Sequence, residues 1–300
     1  MDAADLRVFE AVARLGSMSR AAADLHIVQS AVTARIRLLE TELGAPLFRR
    51  HARGVTLTAA GARLLPQAQR VRRALEDARR AVDDDGTPKG PLTIGSLETT
   101  AALRLSPLLA TFVAAHPDVD LVLRTGTTLE LVDDVVAQRL EGAFVCGPVE
   151  HPDLEAEVMF REELVLVTAP SVRGPAALAR KPEAKIVVLR AGCSYRQRLE
   201  AILAQRGVVS VRRLEFGTLD AIVACVGAGL GVTLLPRSVV APAARAGQVA
   251  LHALPPAEAR VETLFVRRRY TFRSSALAAF LRLAGAGLVA LGPRVRRAHR

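Results

Sequence analysis

Cysteine is scarce: Cys146, Cys193 and Cys225 are the only three in 300 residues, with no Cys-x-x-Cys pair, so neither a zinc site nor a disulfide scaffold can be built from them. Long apolar runs are absent too. The nearest candidate for a span of about 18 residues, "SALAAFLRLAGAGLVALG", is broken by Arg282 and by glycines, which excludes a membrane segment. The chain opens with Asp2 and Asp5 where a secretory leader would be basic. A reducing, cytoplasmic setting is therefore expected. The six histidines lie apart, and no Ser-His-Asp or His-Glu arrangement is legible around them. No catalytic residue, cofactor or metal is expected. "GAGLG" (Gly227 to Gly231) follows an apolar helical run, not a strand, and lacks the spacing of a dinucleotide loop.

Half of the residues are apolar, enough for two or three domains with real cores. The net charge of +11 is uneven. Residues 1–90 hold 15 Lys+Arg against 11 Asp+Glu, residues 91–265 hold 17 against 19, and residues 266–300 hold 9 against none. A slightly acidic middle argues against a protein that coats nucleic acid along its length, whereas the basic ends suit phosphates. The tail "RVRRAHR" reads first as a solvated terminus.

"DLRVFEAVARLG" places Leu6, Phe9, Val12 and Ala13 on one side of a helix that stops at Gly16. Ser17 or Ser19 then caps a short helix, and a few residues later "VQSAVTARIRLLETELG" sets Val32, Ile36, Leu39 and Leu43 in one apolar stripe. Its opposite face carries Ser30, Thr33, Ala34 and Arg37. Two short helices and a tight turn before such a helix have the layout of a helix-turn-helix, whose later helix enters the major groove. Short side chains let the backbone settle into a groove about 12 Å wide. Ser30 and Thr33 are candidates for base edges or phosphates, Ala34 for a thymine methyl and Arg37 for guanine or phosphate, with Gln29 and Arg35 extending the footprint. Beyond it, "APLFRRHARGVTLTAAG" offers Leu47 and Phe48 as anchors, a basic turn with Arg49, Arg50 and Arg53, and an alternating strand. This is the outline of a wing lying along the phosphate backbone.

From "SRAAADLHIVQSAVTARIRLLETELGAPLFRR" to "LTAAG", the sequence closely resembles the N-terminal winged helix-turn-helix of LysR-type transcriptional regulators. That family commonly has serine where Thr33 stands, and often a basic or polar residue where Ala34 stands. The next helix, Thr58 to about Val82, carries Leu64, Ala68, Val71, Leu75, Ala78 and Val82 at heptad spacing, a seam too narrow for a monomer's core. Pro66 is expected to bend or loosen it. The resemblance implies that this helix pairs two subunits, so a homodimer is expected and a tetramer is left open. "DDDGTPKGP" is the clearest linker.

The remainder alternates strands and helices, as parallel α/β units do, with ligands at the C-terminal strand ends. Four strand-to-helix junctions carry hydroxyls or a thiol at N-cap positions: Ser96; Thr127 with Thr128; Cys193 with Ser194; and Thr218. Such residues cap any helix, but several N-termini converging on one cleft would suit a small polar or anionic molecule. Leu97, Thr99, Thr100, Cys146 and Arg190 join the candidate list; Glu98 either serves its own helix or faces the cleft. Cys193 at a helix start has two readings, a redox-sensitive thiol of lowered pKa or a packing and ligand contact. "IGSLETTAALRLSPLLATFVAAHPDVDL", "GCSYRQRLE" and "GAGLGVTLLPRSVV" resemble the effector-binding part of the same family, which is similar to two-lobed periplasmic binding proteins. One lobe is then expected from Pro91 to Leu164 with Arg269 to about Gly285, and hinge crossovers at Val165 to Ala169 and Leu264 to Val266.

The expected fold is an N-terminal all-α winged helix-turn-helix (1–57), a dimerisation helix and linker (58–90), a two-lobed α/β effector-binding domain (91–285) and a basic tail (286–300). The expected function is transcription regulation on double-stranded DNA, modulated by a small molecule. A solute-binding protein would predict a signal peptide and no wing. An α/β enzyme with an accessory DNA-binding module would predict paired catalytic groups.

Overall fold

A computed structural model of the chain describes residues 1–52, 54–174, 183–208 and 210–291, in two units, Met1–Asp85 and the part from Gly86 onward. The proposed tail beyond residue 291 lies outside the described residues.

In the first unit, α1 (Ala3–Leu15) starts at a reciprocal cap: Asp2 accepts from the Asp5 N–H at 2.8 Å, and Asp5 accepts from the Asp2 N–H at 3.1 Å. It ends at Gly16, whose φ of 64° suits glycine. Leu6, Phe9 and Val12 are buried and Ala13 is half-buried. Of the two serines, Ser17 caps α2 (Met18–Asp24), its hydroxyl accepting from the Arg20 N–H at 3.3 Å. The next helix, α3 (Gln29–Leu43), buries Val32, Ile36 and Leu39. Leu43, the last member of the expected stripe, is 40% exposed because the helix turns off at Gly44.

The hairpin β1 (Phe48–His51) and β2 (Gly54–Leu57) pairs Phe48 with Leu57 and His51 with Gly54, so Arg49 and Arg50 stand on a strand and not in the turn. The Val55 N–H donates to the Gly16 carbonyl at 3.0 Å, and two further contacts dock the hairpin. Glu40 Oε1 accepts from the Leu47 and Phe48 N–H groups at 2.7 and 3.2 Å, and the Phe48 ring sits 5.3 Å from that of Phe9. Thr58 caps α4 (Ala59–Asp83), where a Cβ on Gly61 would stand 2.2 Å from the Leu47 carbonyl oxygen, so only glycine permits this approach. The helix continues through Pro66 without a break in its assignment. Ala68 is buried within the unit, whereas Val71, Leu75 and Val82 are 40%, 46% and 86% exposed.

The second unit has two lobes. The first is a mixed sheet of β3 (Gly90–Ser96), β4 (Val119–Thr125), β5 (Gly142–Cys146), β6 (Leu154–Thr168) and β11 (Arg260–Arg268), in the order β6-β11-β5-β3-β4. Its helical layer comprises α5 (Glu98–Thr100), a π-helical segment (Ala101–Leu105), α6 (Ser106–Ala115), α7 (Thr128–Val136) and, at the C-terminal end, α12 (Ser275–Leu291). Phe112, Phe144, Phe265 and Phe280 fill one face, with Phe112 and Phe280 in edge contact at 5.2 Å.

The second lobe holds β7 (Glu183–Leu189), β8 (Ser210–Phe216), β9 (Thr233–Pro236) and β10 (Ala250–Ala253), with α8 (Ser194–Gln205), α9 (Leu219–Gly227), α10 (Arg237–Arg245) and the short α11 (Pro256–Ala259). Gly227 closes α9 and is no phosphate loop. At Gly231 a Cβ would stand 2.6 Å from the Lys185 carbonyl oxygen, so that glycine serves strand packing.

Among the described strands β3 pairs parallel with β4 and β5, and β7 with β8, and a parallel bridge joins Ile186 to Val232; β6, β9, β10 and β11 pair antiparallel. The expected parallel units are present in each lobe, and the antiparallel pairs are added by β6 and β11, neighbours that run in opposite directions, with β9 and β10 on the far end of β6. Of the two hinge crossovers that the family resemblance implies, the one near Val165 to Ala169 adjoins the observed change of partners and the one at Leu264 to Val266 does not. The long strand β6 changes partners between Glu163, opposite Arg260, and Leu164, opposite Pro236, while Leu264 to Val266 lie deep in the first lobe opposite β5. A 15-residue strand belonging to both lobes carries no turn signal where its partners change.

Candidate functional site

On the first unit, Gln29, Ser30, Ala34, Arg37, Arg49 and Arg50 are exposed and Thr33 is half-buried. The Gln29 side-chain oxygen accepts from the Ser19 hydroxyl at 3.1 Å, which ties the start of α3 to α2. Ser30 does not cap its helix; the cap position is Val28, with no side-chain hydrogen bond. Arg35 departs from the expected footprint. Its guanidinium bonds Asp5 at 2.8 Å and lies 3.9 Å from Asp2, so it fastens α3 to α1. Among the described residues no carboxylate engages Arg37, Arg49 or Arg50, which leaves their charge available to phosphates. Arg53 lies outside the described residues.

Between the lobes of the second unit lies a cavity of about 310 Å³. Leu97, Thr99, Thr127, Thr128 and Cys146 line it from the first lobe; Arg190, Cys193, Ser194 and Thr218 line it from the second. Ser96 and Thr100 do not. Both are buried behind the wall, and the Ser96 hydroxyl donates to the Leu97 carbonyl at 3.0 Å, because strand β3 continues through Ser96 and the helix begins only after Leu97. Glu98 lines it as well, and Thr125, Gly126, Leu189, Tyr195, Phe216 and Gly217 complete the wall without having been singled out. Thr125, Leu189 and Phe216 end strands β4, β7 and β8, the place where α/β ligands gather, so the strand ends themselves were the signal to follow.

Among the described residues four helices start at this cavity, and their starts are satisfied differently; the short α5 follows Leu97, which supplies no side-chain cap, and carries Glu98 in its first turn. At α7, Thr127 and Glu130 form a reciprocal cap: Thr127 accepts from the Glu130 N–H at 3.3 Å, and Glu130 accepts from the Thr127 N–H at 2.8 Å. That N–H, with help from the Thr127 hydroxyl and Arg190, holds the Glu130 carboxyl below its usual pKa against the opposing effect of burial. At α9 the Thr218 hydroxyl accepts from the Ala221 N–H at 3.4 Å, and Glu98, from the opposite lobe, accepts from the Leu219 N–H at 3.2 Å. Glu98 therefore faces the cleft. At α8 the cap residue Cys193 offers only a thiol, which faces the Arg196 and Tyr195 N–H groups without forming a side-chain cap, and the first turn holds no acid.

Further contacts cross the cleft. The Ser194 hydroxyl donates to Thr128 Oγ1 at 3.0 Å, and Arg198 donates to the Gly147 carbonyl at 3.1 Å. Arg190 lies 3.7 Å from Glu130. Thr128 Oγ1 also accepts from the Cys146 N–H at 3.3 Å. Burial pushes the Cys146 thiol up to about 11, and it raises Cys193 and the Tyr195 phenol as well. The reading of Cys193 as a thiol of lowered pKa is thus corrected: desolvation outweighs the helix N-terminus. No cluster among the described residues has the makings of a metal site, and no described helix is long and apolar enough to cross a membrane.

Two family models match the chain. Residues 3–62 match the bacterial regulatory helix-turn-helix protein of the lysR family, and residues 85–288 match the LysR substrate binding domain. The chain belongs to the LysR family of transcriptional regulators. As a LysR-family protein it is a DNA-binding transcriptional regulator that carries a substrate binding domain. It is similar to the HTH-type transcriptional regulator GltR of Bacillus subtilis (44% identity; 92% of this chain and 93% of that protein). It is also similar to YofA of Bacillus velezensis (43%; 92% and 95%). Among solved structures, full-length CbnR complexed with its target DNA matches at 25% identity and TM-score 0.61, covering 96% of this chain and all of that one. Full-length LysG of Corynebacterium glutamicum, with the effector Arg bound, shares the fold at 21% identity and TM-score 0.67, covering 97% and 99%.

Proposed function

We propose that this regulator reads duplex DNA with Gln29, Ser30, Thr33, Ala34 and Arg37 of α3, and that Arg49, Arg50 and Arg53 of the wing follow the phosphates. It works as a homodimer in the cytoplasm, paired through α4. It carries out no chemical reaction. Its effector is a small polar or anionic molecule in the interlobe cavity, contacted by Leu97, Thr99, Thr127, Thr128, Cys146, Arg190, Cys193, Ser194 and Thr218.

One observation carries the effector reading: a cavity of about 310 Å³, walled by both lobes, gathers four helix starts, of which α8 alone has neither a side-chain cap nor an acid in its first turn. The Thr128 hydroxyl beside it has both acceptor positions used, by Cys146 and Ser194, so its proton is the part left to offer. The dimer reading is supported by Val71, Leu75 and Val82, which stand exposed at heptad positions of α4.

The test is retardation of the protein's own upstream promoter region at rising salt, together with thermal shift of the full chain against a metabolite panel. Sequence-selective binding that weakens with salt, plus stabilisation by an anionic or polar metabolite that changes the retarded pattern, is the expected result. No selective retardation, or stabilisation only by apolar compounds, would overturn it.

A further inference from the structure

The recognition helix differs from its neighbours in how it begins. In the first unit, α1, α2 and α4 are each capped by a side-chain oxygen, from Asp2, Ser17 and Thr58. The cap position of α3 is Val28, with extended backbone and no side-chain bond. Valine is among the poorest residues at this position, and a serine or threonine there would stabilise the helix. Core packing does not explain the choice, because Val28 is 67% exposed. It lies directly before Gln29 and Ser30, at the end of α3 that enters the groove in the reading above. A branched apolar side chain is thus displayed, at a cost in helix stability, at the edge of a surface made of short polar side chains.

We infer that Val28 is a specificity-determining residue that packs against the C5-methyl group of a thymine in the major groove. The thymine methyl is the apolar feature of the major-groove edge, and apolar side chains read it by contact. The backbone N–H groups of Gln29 and Ser30, ahead of the first intrahelical bonds donated by Ala31 and Val32, are placed to meet the adjoining phosphate. The absent cap is thereby compensated when DNA is bound. This inference rests on the assignment of α3 as the groove-entering helix, and the experiment separates the two.

The full-length protein is used to select duplexes from a random pool. The selected duplex is then rebuilt with each thymine replaced singly by deoxyuridine, which removes only the methyl group. Binding of the wild type and of Val28→Ser is measured across this set at one salt concentration, and both proteins are melted in the absence of DNA. Selection of a defined sequence by the wild type, and its loss in Arg37→Ala, tests the assignment of α3. The inference predicts that one deoxyuridine position per half-site weakens the wild type about fourfold, the effect of one methyl-sized group leaving an apolar contact, and leaves Val28→Ser unchanged. It also predicts that Val28→Ser melts higher. Identical deoxyuridine profiles for the two proteins, or equal affinity of both for the thymine duplex, would overturn it. Weakening of Val28→Ser that is uniform across the set would assign Val28 to the backbone and overturn it as well.

Discussion

The Glu98 carboxylate of one lobe accepts a hydrogen bond from the Leu219 N–H of the other at 3.2 Å, bridging the mouth of the cavity across 121 residues of chain. An acidic side chain thus satisfies a free N–H at a helix start and ties one lobe to the other.

Removing that carboxylate should loosen the effector domain. Glu98→Ala is expected to cost about 1 kcal/mol, the net value of a partly exposed hydrogen bond, and to lower the melting midpoint of this unit by about 2–4 °C. Glu98→Gln keeps an acceptor oxygen and should recover most of the loss. Calorimetry of the full chain checks both, and an unaltered midpoint for Glu98→Ala would show that the contact holds nothing.

The arginines of α3 should separate by role. Arg37→Ala is expected to weaken binding to a selected duplex by about 1–3 kcal/mol with little change in melting. Arg35→Ala, which breaks a half-exposed ion pair with Asp5, should lower stability by up to about 1 kcal/mol and act on DNA only through α3 packing. Equal effects of the two on DNA affinity would contradict this division.

Much of this was legible in the sequence, and the boundary has physical causes. Periodicity and caps exposed α1 to α4, because these elements are specified by residues close in sequence, such as Asp2 with Asp5 or Thr58 with Gly61. Thr127, Cys193 and Thr218 were recognisable as helix starts for the same reason. The partnerships of Arg35 with Asp5, Glu98 with Leu219 and Ser194 with Thr128 join distant segments and leave no local pattern. Ser96 and Thr100 were misjudged as cleft residues because hydroxyl chemistry says nothing about which way a side chain faces.

The cleft thiols should be slow to react. With Cys146 at about 11, on the order of one molecule in a thousand carries its thiolate at pH 8, so alkylation of the native protein, read by mass spectrometry, should leave Cys146 unmodified. The same shift fixes a pH dependence. Below pH 9 both folded and unfolded chains keep this proton; between 9.0 and about 11 the unfolded chain loses it first, so stability falls as pH rises through that window. Urea unfolding at pH 8 and pH 10 should show this decline, and Cys146→Ala should reduce its slope. Rapid alkylation of native Cys146 would refute the burial on which both expectations depend.

Association should depend on the exposed seam of α4. Leu75→Glu, at a position 46% exposed in the single chain, is expected to leave the fold of each unit intact and to shift sedimentation toward a monomer. DNA affinity should then fall, because the two half-sites are no longer engaged together. An undiminished dimer in that variant would place the pairing surface elsewhere.

Strands β6 and β11 run side by side from Arg260 opposite Glu163 to Arg268 opposite Leu154, and β6 alone continues on to bond β9 and β10. The ladder between β6 and β11 is stepped once, between Thr263 opposite Phe160 and Leu264 opposite Val158, and a bulge of this kind increases the local twist of a sheet. One strand thus belongs to both sheets, and the twist of β6 sets the angle at which β9 and β10 stand to the β11 side of the domain.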